Sequence, residues 1–404
     1  MDRPKLRQVE AFPVVHEGQR LMCLRDPLNM APDVVLLSPE AFNIVRGFDG
    51  KNSTTEIQAA YMRRTGSMLY TDKLNELIES LDRAHMLEGP SFEAYRRELE
   101  SEFRASTLRK GFLTGRSYPG DEEGIEHVLS SIFLAEDGPG EIPKVGDGNK
   151  LKGAVLPHID LERGGACYAK GWAKAAAGCK ARRFIIIGTG HFELDLPLAL
   201  TLKDFETPLG LAKTDKEFVS ALAERVGPDA FKGEISHRTE HSIEFQLLFI
   251  QYLFGKDIEI VPVLSVARQE PAWGENGFIS PMATELVAAA RELIAEAPDE
   301  TFVIASADLA HIGPRFGDDL TAEISHEKAE ETKQKDLELL ALLEKPDVAA
   351  FANGVQADRN ARHICGYMPI LLTAAITEGK FSLIDYSQAY DPMGTVSFAS
   401  LVIE

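Results

Sequence analysis

Residues 155–165 read VLPHIDLERGG. The small and apolar run Gly153, Ala154, Val155, Leu156 leads into this stretch and has the composition of a buried strand. It stops at Pro157 and His158, followed by Asp160, Arg163 and a pair of glycines. The pattern recurs. FIIIGTGHF (184–192) runs into His191, and FVIASADLAH (302–311) runs into Asp308 and His311. In an open α/β sheet the carboxyl ends of the strands line the ligand crevice. His158, His191, Asp308 and His311 are therefore expected to converge, although they are far apart in the chain.

Outward from these strands, apolar runs occur at 151–156, 183–188, 258–264, 301–305, 381–385 and 395–403. Helical patterns lie between them, at 166–177, 214–226, 242–254, 282–296, 328–344 and 366–378. This alternation predicts an α/β fold over 111–404, with a mainly parallel sheet flanked by helices.

Two further residues belong with the strand ends. His241 in TEHSIEF and Cys365 in RHICGYMP each stand at the start of an apolar helix. A helix N-terminus favours anions and lowers a thiol's pKa. Imidazole with thiolate suits zinc, copper or iron, and carboxylate with two imidazoles suits non-haem iron. Taken singly, each residue has a plainer role: a hydrogen-bonded core histidine, a small buried cysteine, an Asp308 helix cap, an Asp160–Arg163 pair. Three strand ends that carry histidine, in a chain with ten histidines in all, favour the joint reading. Cys167 and Cys179 lie in or at the end of an Ala-rich helix and read as packing residues. His237, His326 and His363 keep the plainer role of hydrogen-bonded histidines, with His363 near enough to Cys365 to support it.

Residues 1–90 read as a separate small α+β domain. PVVHEGQRLMCL (13–24) predicts a hairpin around Glu17-Gly18. Ser38-Pro39 opens a helix, Ser53 and Glu56 have the spacing of a capping box, and Gly66 closes the second helix. Leu74, Leu77, Ile78 and Leu81 stripe a third. Residues 91–110 are expected to form a connecting helix.

The bulk numbers bound the function. The chain has 404 residues and a formal net charge of −20, which speaks against sequence-independent nucleic-acid binding. Four cysteines with no CxxC pair exclude a dense disulfide or zinc-ribbon framework. With no signal peptide and no stretch of about 20 apolar residues, no membrane association and a cytoplasmic location are expected.

Eight motifs carry a family resemblance: GRSYPGD (115–121), PHID (157–160), IIIGTGH (185–191), TPLG (207–210), EHSIEFQL (240–247), VPVL (261–264), SADLAHIG (306–313) and ICGYMPI (364–370). In this order they resemble the Memo family, whose bacterial members are called AmmeMemoRadiSam system protein B. The resemblance spans residues 105–404. It implies a fold similar to LigB-type class III extradiol dioxygenases. By motif, it puts the metal ligands at His158, His191 and Cys365, and further pocket residues at His241, Asp308 and His311. It implies iron or copper, with zinc as a further candidate, and it implies a radical SAM enzyme and an AMMECR-type protein as partners. Asp160 and Arg163 depart from the commoner PHAGY pattern and are expected at the pocket rim. Phe192 stands where many members have a second histidine, and Thr189-Gly190 where many have Pro-Ser.

The N-terminal 90 residues resemble the PqqD-like winged helix, or RiPP recognition element, which implies a peptide ligand. The expected function is a metal-dependent redox protein, an oxidoreductase acting with its radical SAM partner. The alternatives are an extradiol-type dioxygenase acting on an aromatic substrate, or a non-catalytic protein that binds a peptide or a modified side chain.

Overall fold

In the computed structural model, the described residues are 1–404 except 149, 192–195, 267–271, 276, 319–322 and 346. The chain divides into two units, Met1–Ala105 and Ser106–Glu404.

The first unit is a three-stranded antiparallel sheet, β1 (Glu10–His16), β2 (Gln19–Arg25) and β3 (Val35–Leu37), in the order β1-β2-β3. Its helices are α1 (Pro39–Val45), α2 (Thr54–Thr65), α3 (Thr71–Arg83) and α4 (Pro90–Ala105). The expected hairpin turns at Glu17 and Gly18, both in left-handed backbone. Ser53 and Glu56 form the capping box reciprocally, and Gly66 ends α2 at φ 72°. The core holds Leu24, Val45, Phe48, Leu74, Leu81 and Leu87.

The helix expected as a connector, α4, belongs to this unit instead. Phe92 is buried beneath the guanidinium of Arg7, which lies 3.6 Å from its ring centre, and the Tyr95 hydroxyl donates to the Met30 carbonyl at 3.1 Å. Charge made 91–110 look like a helix that only connects the two units. Two aromatic residues on one face anchor it.

The second unit contains, in chain order, β4 (Leu108–Arg109), α5 (Glu122–Leu134), β5 (Gly153–Leu156), α6 (Leu161–Ala177), β6 (Arg183–Thr189), β7 (Leu198–Leu200), β8 (Asp204–Thr207), β9 (Gly210–Thr214), α7 (Lys216–Val226), α8 (Ser242–Phe254) and β10 (Glu259–Ser265). The two-residue strands β11 (Trp273–Gly274) and β12 (Gly277–Phe278) follow, then α9 (Pro281–Glu296), β13 (Thr301–Ser306), β14 (Asp308–Ile312), α10 (His326–Ala341), α11 (Val348–Gln356), α12 (Tyr367–Thr377), β15 (Phe381–Ala389) and β16 (Thr395–Ile403).

Its large sheet runs β14-β16-β5-β13-β6-β10-β9-β8-β4, with β15 on β16 and β7 on β10. The centre, β5-β13-β6-β10, is parallel. The sheet as a whole is mixed, because the last two apolar runs form an antiparallel hairpin and β16 joins β5 antiparallel. Both faces are covered, so the central strands are continuously apolar. Alternate side chains serve two cores: Ile185 and Ile187 pack with α7, α9 and α12, and Phe184 and Ile186 pack with α6 and α8. Among the described residues no helix is long and apolar enough to cross a membrane.

Candidate metal centre

At the carboxyl ends of these central strands, His158 lies two residues past β5 and His191 two past β6. Asp308 lies two residues past the end of β13, where β14 begins. His241 immediately precedes α8, and Cys365 lies just before α12. Two glycines allow the close approach. A Cβ on Gly188 would meet the Ser242 hydroxyl at 2.5 Å, so its absence lets the start of α8 press against β6. A Cβ on Gly366 would meet the Asp308 carbonyl at 2.4 Å.

One ring nitrogen from each of His158, His191 and His241 lies within 4.8 Å of the others. The His191 and His241 rings stack, with centres 4.7 Å apart and planes 14° from parallel. The His158 ring stands perpendicular to both. His158 is buried, whereas the side chains of His191 and His241 are each 32% exposed. The cluster therefore has a closed floor and an open side.

Each ring is oriented by a partner behind it. His158 Nδ1 lies 2.9 Å from the Ser306 carbonyl. His191 Nδ1 lies 3.0 Å from Glu240 Oε1, and His241 Nδ1 lies 3.3 Å from the same oxygen. Glu240 also accepts the backbone N–H groups of His191 (2.9 Å), His241 (2.8 Å) and Ser242 (3.1 Å). A metal-binding imidazole usually has its second nitrogen engaged in this way, which fixes its tautomer and aims the free nitrogen. The donor set fits a transition metal.

Asp308 is buried and straddles His158. One oxygen accepts its backbone N–H at 2.9 Å, and the other lies 3.7 Å from Nε2. Cys365 Sγ is 3.3 Å from the same Nε2. Burial alone would disfavour the His158 cation, but Asp308 and Cys365 outweigh it and raise the pKa to about 9. Burial likewise opposes the Cys365 thiolate. The positive charge of His158 and His311 overcomes it, and the thiol falls to about 5. His241 is pushed down to about 3, first by burial, against the pull of Glu240. Glu240 itself is held well below the ordinary carboxylate range: burial opposes its charge, but His191 overrides that.

The expected residues thus separate. His158, His191, His241, Asp308 and Cys365 come together. His241, expected as a pocket residue, stands among the imidazoles that can hold an ion. His311 is held apart from the imidazole cluster's ring contacts, with Nδ1 3.1 Å from the Leu309 carbonyl and its ring edge-on to Phe316. Asp160 caps α6 through the Arg163 N–H at 3.0 Å and pairs with the Arg163 side chain. Phe192 lies outside the described residues. Cys167 and Cys179 are buried packing residues, as expected.

Sequence reasoning missed Glu240, although it directly precedes His241. It also missed Arg109, which is fully buried on β4. Arg109 donates to the carbonyls of His237 (2.9 Å) and Glu240 (2.6 Å) and pairs with the buried Glu244. Glu244 in turn accepts the N–H groups of Phe112 and Leu113 and the Tyr118 hydroxyl. These bonds bolt the Glu240–His241 corner in place.

Comparison with known proteins follows the same residues. The profile of the Memo-like protein family matches residues 109–402. A MEMO1 family protein of Aquifex aeolicus is 26% identical over 99% of both chains. One from Methanopyrus kandleri is 28% identical over 73% of this chain and 98% of its own. A third, from Methanobrevibacter smithii, is 32% identical over 50% of this chain and 70% of its own. The motifs that build the imidazole cluster fall within the matched span, and the chain belongs to the Memo-like protein family.

Proposed function

We propose that this protein holds a redox-active transition metal, iron or copper, at His158 and His191, with His241 and the Cys365 thiolate completing the donor set. The observation that carries this reading is the shared Glu240 carboxylate, which aims His191 and His241 together while Ser306 aims His158. The 3.3 Å between Cys365 Sγ and His158 Nε2 suits two ligands of one ion, because metal–sulfur and metal–nitrogen bonds of about 2.3 and 2.0 Å bring such atoms to about that separation. When bound, the ion supplies one-electron chemistry that the side chains lack.

The chain's own groups do the rest. Asp308 holds His158 by backbone and ring. His311 and Asp308, which are outside the proposed donor set, are the acid–base groups. The exposed edges of His191 and His241 leave the side from which a substrate enters. We take the protein to be an oxidoreductase that works with a radical SAM enzyme and an AMMECR-type protein. A thiolate donor favours this reading over an extradiol dioxygenase acting on an aromatic substrate. The first unit is the proposed peptide-binding module, since β1 is an outermost strand and an open edge accepts an added strand.

Elemental analysis with electron paramagnetic resonance, on protein purified without oxygen, tests the metal. Iron or copper supports the reading, and stoichiometric zinc alone refutes the redox part.

A further inference from the structure

Cys365 sits at the end of an unusual loop. Arg359, Asn360 and His363 all hold left-handed backbone, with φ of 57°, 53° and 50°. Residues with side chains keep that conformation only where the surroundings impose it. Within this loop, Arg362 reaches a buried polar cluster outside the imidazole site. Asp336, on α10, is fully buried. One of its oxygens accepts the Arg362 guanidinium. The other accepts the Tyr386 hydroxyl at 3.0 Å and the Ser397 hydroxyl at 2.5 Å.

Both arms of this carboxylate lead to the metal centre. Arg362 stands three residues before Cys365, and its carbonyl accepts the His311 N–H at 2.8 Å. Ser397, on β16, accepts the Ala310 N–H at 2.9 Å, within the register shift between Asp308 and His311. At the other side of the thiol, the Gly366 N–H donates to the Asp308 carbonyl at 3.0 Å. The loop is thus fastened to β14 on both sides of Cys365, and Asp336 holds loop and strand together.

We propose that Asp336 is a positioning residue for the metal centre: by gripping Arg362 and Ser397 at once, it fixes the Cys365 thiol within ligand distance of His158. This inference rests on the thiolate ligation proposed above.

Cobalt(II) added to the full-length protein gives the test, because a cobalt–thiolate bond absorbs in the near ultraviolet and cobalt–imidazole bonds do not. Asp336→Asn keeps the shape and removes the charge that holds Arg362. It should still bind cobalt through the imidazoles and melt cooperatively. Its sulfur band should fall several-fold, and the His311 and Gly366 amides should exchange faster. Ser397→Ala, which cuts one arm, should lose less of the band. A purely structural role would lower the melting temperature and leave the band intact, and that result overturns the proposal. If Asp336→Asn does not fold, Arg362→Lys decides by the same band. A wild-type sulfur band with unchanged variants sinks only this inference. A wild-type protein that binds cobalt with no sulfur band sinks the thiolate reading and this inference with it.

Discussion

Cys365 Sγ lies 3.3 Å from His158 Nε2, across 207 positions of sequence. With the thiol at about 5 and the imidazole at about 9, the metal-free pair is a thiolate beside an imidazolium at neutral pH. Burial holds Cys167 at about 12 and Cys179 at about 11. Alkylation of the metal-free protein at pH 7, mapped by mass spectrometry, should therefore modify Cys365 well before either of them. Equal rates at all three sites would mean the thiol is not activated.

The same pair sets the pH dependence of metal binding. Between about 5 and about 9 the bound proton rests on the imidazole side, and an incoming ion must displace it. The raised His158 pKa means the metal-free form gains protons as pH falls. Affinity should accordingly rise with pH, by up to about tenfold per unit for one displaced proton, and level off above 9. Titration calorimetry in buffers of different ionisation enthalpy reads the released proton. A pH-independent affinity between 6 and 8 would contradict this.

Glu240→Gln keeps the size of the side chain and removes the negative charge that faces two imidazole nitrogens. Metal affinity should drop by about 10- to 100-fold, the usual cost of losing such a partner. The fold should survive, because the Gln oxygen can still accept the His241 and Ser242 N–H groups and only the His191 N–H bond is lost. Unchanged affinity in a competition assay with a chelator would count against the role given to Glu240.

Arg109→Met leaves Glu244 charged and buried with only neutral donors. Stripping one partner from such a pair costs about 3–5 kcal/mol, so the urea midpoint should fall sharply with the slope unchanged. Replacing both partners, as Arg109→Met with Glu244→Gln, should recover part of the loss. A single variant within about 1 kcal/mol of wild type would show that the buried pair is not a stability determinant.

A fragment of residues 1–105 should fold alone, and one of residues 1–90 should be less stable. The shorter fragment exposes the surface that Phe92 covers, and fully burying such a side chain is worth about 1.5–3 kcal/mol. Circular-dichroism melts of the two fragments compare them directly. Amide shifts on the longer fragment with a partner's extended segment test the proposed peptide role.

What the sequence disclosed and what it hid have physical reasons. Strands β5, β6 and β13 were legible because a sheet covered on both faces needs unbroken apolar runs, and the polar residues that end them stand out. The Ser53–Glu56 cap was legible because its two bonds lie within four residues. Glu240 was hidden because its partner His191 lies 49 positions away, and a glutamate before a helix looks like an ordinary first-turn acid. Arg109 and Asp336 were hidden for the same reason: buried ions are made acceptable by partners distant in sequence, and single charged letters resemble surface residues. The place of α4 was misread because charge dominates its composition, while two aromatic contacts decide where it packs.

Metal content of the wild type, His158→Ala and His191→Ala, purified side by side without oxygen, tests the central claim most directly. The wild type should carry about one transition-metal ion per chain, and each variant should lose it while keeping its circular-dichroism spectrum and a cooperative melt. Full metal content in both folded variants would contradict the assignment of the site.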